Sequence, residues 1–179
     1  LSVIGARKAT PYGRDVAFKF AKIASEHGLA IISGGALGCD SAAHRGCLEG
    51  GSPTVVVLGG GCDCIYPESN RDLFQEIIDK GGAVISEHQW QFPPMPYTFR
   101  ARNRIIAGLS RATLIVEAGL PSGTFSTADD ALSSNREVLV VPGAITSPTS
   151  RGANRLLYQG ATPIVDEETF EDGIFNLYG

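Results

Sequence analysis

Short, wholly apolar runs alternate along the chain with longer segments whose apolar residues recur every three or four positions. The short runs predict strands at Ser2–Ile4, Ala30–Ser33, Thr54–Leu58, Ala83–Ser86, Thr113–Glu117, Val138–Val141 and Thr162–Ile164. Val55-Val56-Val57-Leu58 and Val138-Leu139-Val140-Val141 have no polar face to turn to water, so they predict central parallel strands covered by helices on both sides. Strand and helix alternate throughout. That pattern predicts an α/β fold: a three-layer, doubly wound, Rossmann-like domain with a mostly parallel central sheet.

The helical segments carry end signals. Thr10 is a candidate N-cap with Pro11 at the first helical position; Val16, Phe20, Ile23 and Ala24 then keep helical spacing, and Gly28 is a stop. Asp40 is the expected cap of a helix running to about Gly50, a segment from Pro67 to Lys80 follows the third strand, Ser122 caps a helix toward Ser134, and Ser150 caps Arg151–Gln159. Gln89–Tyr97, with Pro93, Pro94 and Pro96, reads as a surface loop. Phe170, Ile174, Phe175, Leu177 and Tyr178 form an amphipathic C-terminal segment, expected to close against the domain or to serve an interface.

A length of 179 residues, 43% of them hydrophobic, suits one domain with a full core over residues 1–179. The net charge of −4 excludes a diffuse basic field. The acids are uneven, however: five of the 19 lie between Asp166 and Asp172, which leaves residues 1–165 with 15 bases against 14 acids. A local basic surface is therefore open. No run reaches the roughly 18 apolar residues of a membrane span, and no signal peptide is visible, so the expectation is a cytoplasmic protein without a membrane partner. The start at Leu1, already inside a strand, is read as that of a piece of something longer. Cys39, Cys47, Cys62 and Cys64 lack zinc-site spacing and read as free thiols; neither a metal nor a cofactor is expected.

The chemistry concentrates where strands end. The first strand leads into Gly5-Ala6-Arg7-Lys8-Ala9-Thr10-Pro11-Tyr12-Gly13, the second into Gly34-Gly35-Ala36-Leu37-Gly38, the third into Gly59-Gly60-Gly61, the fifth into Pro121-Ser122-Gly123-Thr124 and the sixth into Pro142-Gly143. Ligands of open α/β sheets bind at the carboxyl ends of strands, and glycine turns that lead into helix starts present backbone donors to anions. Side by side, these turns predict a row of phosphate seats. The segment Phe99-Arg100-Ala101-Arg102-Asn103-Arg104 adds three guanidinium groups, each able to grip phosphate in a bidentate fork. Neither G-x-G-x-x-G nor a P-loop is present, and no acid follows the second strand to hold a ribose.

With these turns and the block Phe99-Arg100-Ala101-Arg102-Asn103-Arg104-Ile105-Ile106-Ala107-Gly108-Leu109-Ser110, the chain resembles the DNA-processing protein A (DprA/Smf) family. Gly5-Ala6-Arg7, Tyr12-Gly13, Ser33-Gly34-Gly35-Ala36, Ala43-His44-Arg45-Gly46, Tyr66-Pro67, Glu117-Ala118, Ser122-Gly123-Thr124 and Val141-Pro142-Gly143 carry the likeness from Gly5 to about residue 166. The resemblance implies single-stranded DNA binding during natural transformation, loading of the RecA recombinase, and a homodimer. It also implies extra flanking domains. Family members often carry a basic residue where this chain has Leu37 and Pro121.

Carried over residue by residue, the DNA or phosphate contacts are Gly5, Arg7, Lys8, Thr10, Tyr12, Gly13, Gly34, Gly35, Gly38, Arg100, Arg102, Asn103, Arg104, Ser122, Gly123 and Thr124, with Asp40 and His44 in support. Arg100 and Arg104 share a helix face; Arg102 either touches DNA or pairs internally with Glu87 or Glu117. Asn103 is expected to brace a loop. Tyr12, Tyr66 and Phe99 either stack on bases or pack under loops. Asp40 and His44, four apart, are expected to share a hydrogen bond. Two other functions compete with a non-catalytic DNA binder. One is a nucleotide hydrolase of the phosphoribohydrolase (lysine decarboxylase-like) type drawing on Glu117, Asp129 or Asp130; the other is a sensor of a small nucleotide.

Overall fold

In the computed structural model, which describes all 179 residues, seven strands form one sheet in the order β4-β3-β2-β1-β5-β6-β7, every pair parallel. The strands are β1 (Ser2–Ile4), β2 (Ile31–Ser33), β3 (Thr54–Val57), β4 (Ala83–Ile85), β5 (Ala112–Ile115), β6 (Glu137–Val140) and β7 (Thr162–Pro163). The helices are α1 (Pro11–Glu26), α2 (Cys39–Gly50), α3 (Arg71–Asp79), α4 (Pro96–Gly108), α5 (Gly123–Ser133), α6 (Arg151–Tyr158) and α7 (Glu167–Tyr178). The doubly wound expectation holds, and the sheet is wholly parallel.

Alternation along each strand explains the two cores. Val3, Ile31, Leu114 and Leu139 point to the α1, α2 and α7 side, whereas Ile4, Ile32, Ile115 and Val140 point to the α4, α5 and α6 side. A third cluster seats Phe74 and Ile77 of α3 on Val56. The chain winds outward from β1 to β4, crosses back over the sheet through α4, and continues outward from β5 to β7. Strand order therefore reverses between β1 and β5. Because α1 and α5 leave to opposite faces, a crevice opens between the exits of those two strands.

The end signals divide. Thr10 caps α1, its Oγ1 accepting from the Gly13 N–H at 3.1 Å, and Ser122 caps α5 through the Thr124 N–H at 3.1 Å. Asp40 does not cap α2. Gly38 holds that position with φ +82°, and Asp40 lies inside the first turn. Ser150 makes no side-chain capping bond to α6. The predicted loop over Gln89–Tyr97 ends at Pro96, where α4 begins, so all three arginines are inside that helix. The C-terminal segment closes on the domain through Phe170, whose ring centroid is 4.5 Å from that of Phe20. Lys19–Glu167 and His27–Glu171 pairs tie the same helix to α1 at its surface.

His44 corrects another expectation. It does not bond Asp40; its Nδ1 is 2.7 Å from Thr54 Oγ1. That hydroxyl donates its one proton to the Ile31 carbonyl at 2.7 Å, so it accepts from His44. The ring is neutral with its proton on Nδ1, and the buried Nε2 has no partner. Burial pushes the imidazole pKa down to about 3 from the ordinary 6.5. The unfolded chain thus binds a proton that the folded chain refuses. Stability present above pH 6.5 should fall as pH drops from 6.5 toward 3, by about 1.4 kcal/mol per pH unit from this residue. Urea unfolding of wild type and His44→Asn across that range checks this; the variant should show the shallower acid dependence.

Candidate nucleic-acid interface

The crevice between the β1 and β5 exits is a cleft of about 840 Å³. One wall is the first turn, Gly5 to Lys8; the opposite wall is Gly119 to Thr124 with Thr127; α4 lays Pro96, Phe99, Arg100 and Asn103 along it. Arg7, Lys8 and Arg100 are exposed at its mouth. Asp40 is the one acid in its lining, and the carboxylates a hydrolase would draw on, Glu117, Asp129 and Asp130, lie outside it.

Arg102 forms the floor at 5% exposure. Its Nη1 donates to the Gly34 carbonyl at 2.9 Å and the Val57 carbonyl at 2.6 Å, joining α4 to the ends of β2 and β3. It pairs with neither Glu87 nor Glu117. Its charge is balanced by Asp40, which lies across Gly34 and accepts that residue's N–H at 3.1 Å. Burial lowers the guanidinium pKa, with Asp40 opposing and Arg7 adding to the drop; burial likewise raises the Asp40 pKa, with Arg102 opposing. Above Arg102 lies the Phe99 ring, 5.5 Å from its guanidinium, and Arg7 sits over that ring at 5.2 Å. Tyr66 packs on Phe99 with centroids 5.3 Å apart while staying about half exposed. Phe99 is thus a packed ring between cations. Tyr66, Leu37 and Arg7 frame a small hollow of about 60 Å³ beside the main cleft.

Of the residues singled out in the sequence, Gly5, Arg7, Lys8, Arg100, Arg102, Asn103, Ser122, Gly123 and Thr124 meet at the cleft, with Asp40 beneath. Asn103 bridges, accepting from Arg102 Nε at 3.2 Å and reaching the Gly123 carbonyl at 3.4 Å. Thr10, Tyr12 and Gly13 lie outside the lining. The N-terminal end of α1, an apparent phosphate seat, is filled by the protein's own carboxylate: Glu117 accepts from the Thr10 N–H at 2.9 Å and its hydroxyl at 2.6 Å, and packs against Gly13. Tyr12 is exposed, with its hydroxyl 3.5 Å from the Pro142 carbonyl. Gly34 is buried between Asp40 and Arg102, Gly35 is buried against Phe74 and Val56, and Gly38 packs on the carbonyls of the first turn. Arg104 pairs with Glu87 on the outside of α4 and does not line the cleft.

The row of seats is therefore shorter than the sequence implies. The third turn is covered by the chain itself: the Gly61 N–H donates to the Phe92 carbonyl at 2.8 Å, and Gly60 lies against Pro94 so closely that a Cβ would come within 2.8 Å of its nitrogen. The sixth turn is closed by Asn154, which bonds both the N–H and the carbonyl of Gly143 at 3.1 and 2.9 Å. Glycine there serves close packing. Sequence reasoning also missed Thr127, Pro148 and Thr149 in the lining. Thr127 was legible, three residues after Thr124 on a helix whose cap was identified; the short 3-10 turn Pro148–Ser150 carried no such signal.

An all-parallel, doubly wound domain with a basic cleft at its switch point is a nucleotide- or nucleic-acid-binding architecture in form. The model of the family described as DNA recombination-mediator protein A matches residues 1–174, and the chain belongs to that family. Protein Smf of Escherichia coli is 39% identical over 99% of this chain and 48% of its own length; DNA processing protein DprA of Streptococcus pneumoniae is 37% identical over 90% and 56%. The chain spans about half the length of the curated relatives it matches. Among solved structures, DNA processing protein A of Helicobacter pylori, described for its single-stranded DNA binding mode, superposes with a TM-score of 0.90 at 32% identity, covering 99% of this chain and 80% of that one. The Streptococcus pneumoniae protein superposes at 0.87 with 34% identity, covering 96% and 60%. The molybdenum cofactor binding protein of Rippkaea orientalis, at 16% identity and a TM-score of 0.69, shares the fold.

Glu117 should be a stability determinant. Glu117→Ala leaves the Thr10 N–H and hydroxyl without their acceptor and should cost about 2–3 kcal/mol, read as a lower midpoint in chemical denaturation.

Proposed function

We propose that this domain binds single-stranded DNA without catalysis, in the cleft between the β1 and β5 exits. The observation that carries the reading is the charge arrangement. Three exposed cations, Arg7, Lys8 and Arg100, stand at the mouth, and the single acid of the lining is buried beside Arg102. Such a mouth addresses the phosphodiester backbone. The Ser122 cap and the start of α5, where Gly123 is exposed, add donors on the opposite wall. With Glu117 committed to Thr10, and Asp129 and Asp130 outside the lining, no free carboxylate is poised for hydrolysis there, which supports binding over chemistry.

Membership of the recombination-mediator family supports a role in processing incoming DNA during natural transformation, in the cytoplasm, with delivery of the strand to RecA. Self-association as a homodimer belongs to the same reading.

Fluorescence anisotropy with labelled single-stranded and duplex oligonucleotides across a salt series tests the cleft. The single strand should be preferred. Arg7→Ala with Arg100→Ala should weaken binding by about 10- to 100-fold and make the log–log salt slope shallower by about 1.4. An unchanged slope would place the phosphates elsewhere.

A further inference from the structure

Resting on the reading that the cleft holds a single strand, α4 indicates how a longer strand leaves it. A cleft of about 840 Å³ holds only a few nucleotides, so the rest of the strand must cross the surface. Tyr97, Arg100 and Arg104 follow one another at helical spacing on the outward face of α4. The two ends of this stripe differ. Arg104 is paired with Glu87 and also faces Asp130, so phosphate would meet carboxylates there. Tyr97 is 62% exposed; its ring stacks on no other aromatic ring, carries no guanidinium, and its hydroxyl makes no hydrogen bond.

The backbone beneath Tyr97 is held firmly. Pro96 starts the helix, and the neighbouring Thr98, 1% exposed, accepts from the Met95 N–H at 2.9 Å and donates to the Met95 carbonyl at 2.8 Å. A ring on a fixed backbone, exposed and unpartnered, is a low-entropy platform for a base. Its neighbours place it directly on the cleft's edge, since Pro96, Phe99 and Arg100 all line the cleft. We propose that Tyr97 is a stacking subsite for the first base outside the cleft, with Arg100 holding the phosphate between the two. The strand then leaves over the N-terminal end of α4 and not along it toward Arg104. The occupant is single-stranded, because the base faces of a duplex are covered by their neighbours.

The test compares a short oligothymidylate that the cleft alone can hold, about 4 nucleotides, with one of about 16, by anisotropy on the full chain. Tyr97→Ala should weaken the longer oligonucleotide about tenfold and leave the shorter unchanged; Tyr97→Phe should bind like wild type, and Arg104→Ala should have no effect on either. Unchanged melting curves of these surface variants confirm folding. Equal affinity of wild type and Tyr97→Ala for the longer strand, with both lengths still lost in the Arg7→Ala/Arg100→Ala variant, overturns the subsite and leaves the cleft reading standing. A larger loss in Arg104→Ala than in Tyr97→Ala reverses the proposed direction. Absence of single-strand binding by wild type overturns the cleft reading and this subsite with it.

Discussion

The buried guanidinium of Arg102 holds the site together. A cation at this depth is tolerable only where its donors are used and its charge is answered. Arg102 meets both conditions by bonding the carbonyls that end β2 and β3 and by facing Asp40. Those bonds fix the position of α4, the crossover that returns the chain from the sheet edge to its centre. Phe99 then lies over Arg102 and beneath Arg7, so one buried charge organises the floor, the aromatic layer and a cation at the mouth. A lysine could not make the same set of contacts, because Nη1 serves the two carbonyls while Nε of the same planar group bonds Asn103 and its face lies under the Phe99 ring, and a single ammonium nitrogen cannot do all three.

Glu117 plays the matching part on the other wall. Its carboxylate occupies the positive end of α1, where an external phosphate would otherwise be favoured, and joins the β5 exit to the β1 exit. The two walls of the cleft are thereby tied. The remaining anion-attracting groups are left on the rim and at the start of α5. Beneath the first turn, burial, Asp40 and Glu117 push the Cys39 thiol up to about 12, so it packs as a neutral side chain. Protein charges saturate the interior, and what is left for a ligand is a short arc of arginine, lysine and backbone donors. Leu37 and Pro121 sit beside that arc, Leu37 at the small hollow and Pro121 in the cleft wall.

Much of this was legible beforehand, for identifiable reasons. Strands apolar on both faces can only be central and covered, so the parallel sheet followed from Val55–Leu58 and Val138–Val141. The Thr10 and Ser122 caps were readable because their bonds are local, made within three residues. The Arg7 turn, Arg100 and the Ser122–Thr124 turn were expected at one ligand edge, and they meet at one cleft. The Asp40 cap, the Asp40–His44 bond and the glycine seats after β3 and β6 were misjudged because each was decided by a partner outside its own helix or turn. Gly34, Thr54, Phe92 and Asn154 respectively took those groups.

The sequence by itself determined the periodicities, and through them the elements, the layer order and the edge of the sheet where chemistry gathers, because solvent exposure and helix capping are settled within a few residues. Only the tertiary structure decided which of three neighbouring arginines is spent inside, which is neutralised by Glu87 and which stands free. Successive positions on α4 point in different directions, and what each side chain meets there belongs to strands and turns tens of residues away. The sorting of charges into structural and available ones depends on those long-range neighbours, and no local pattern encodes them.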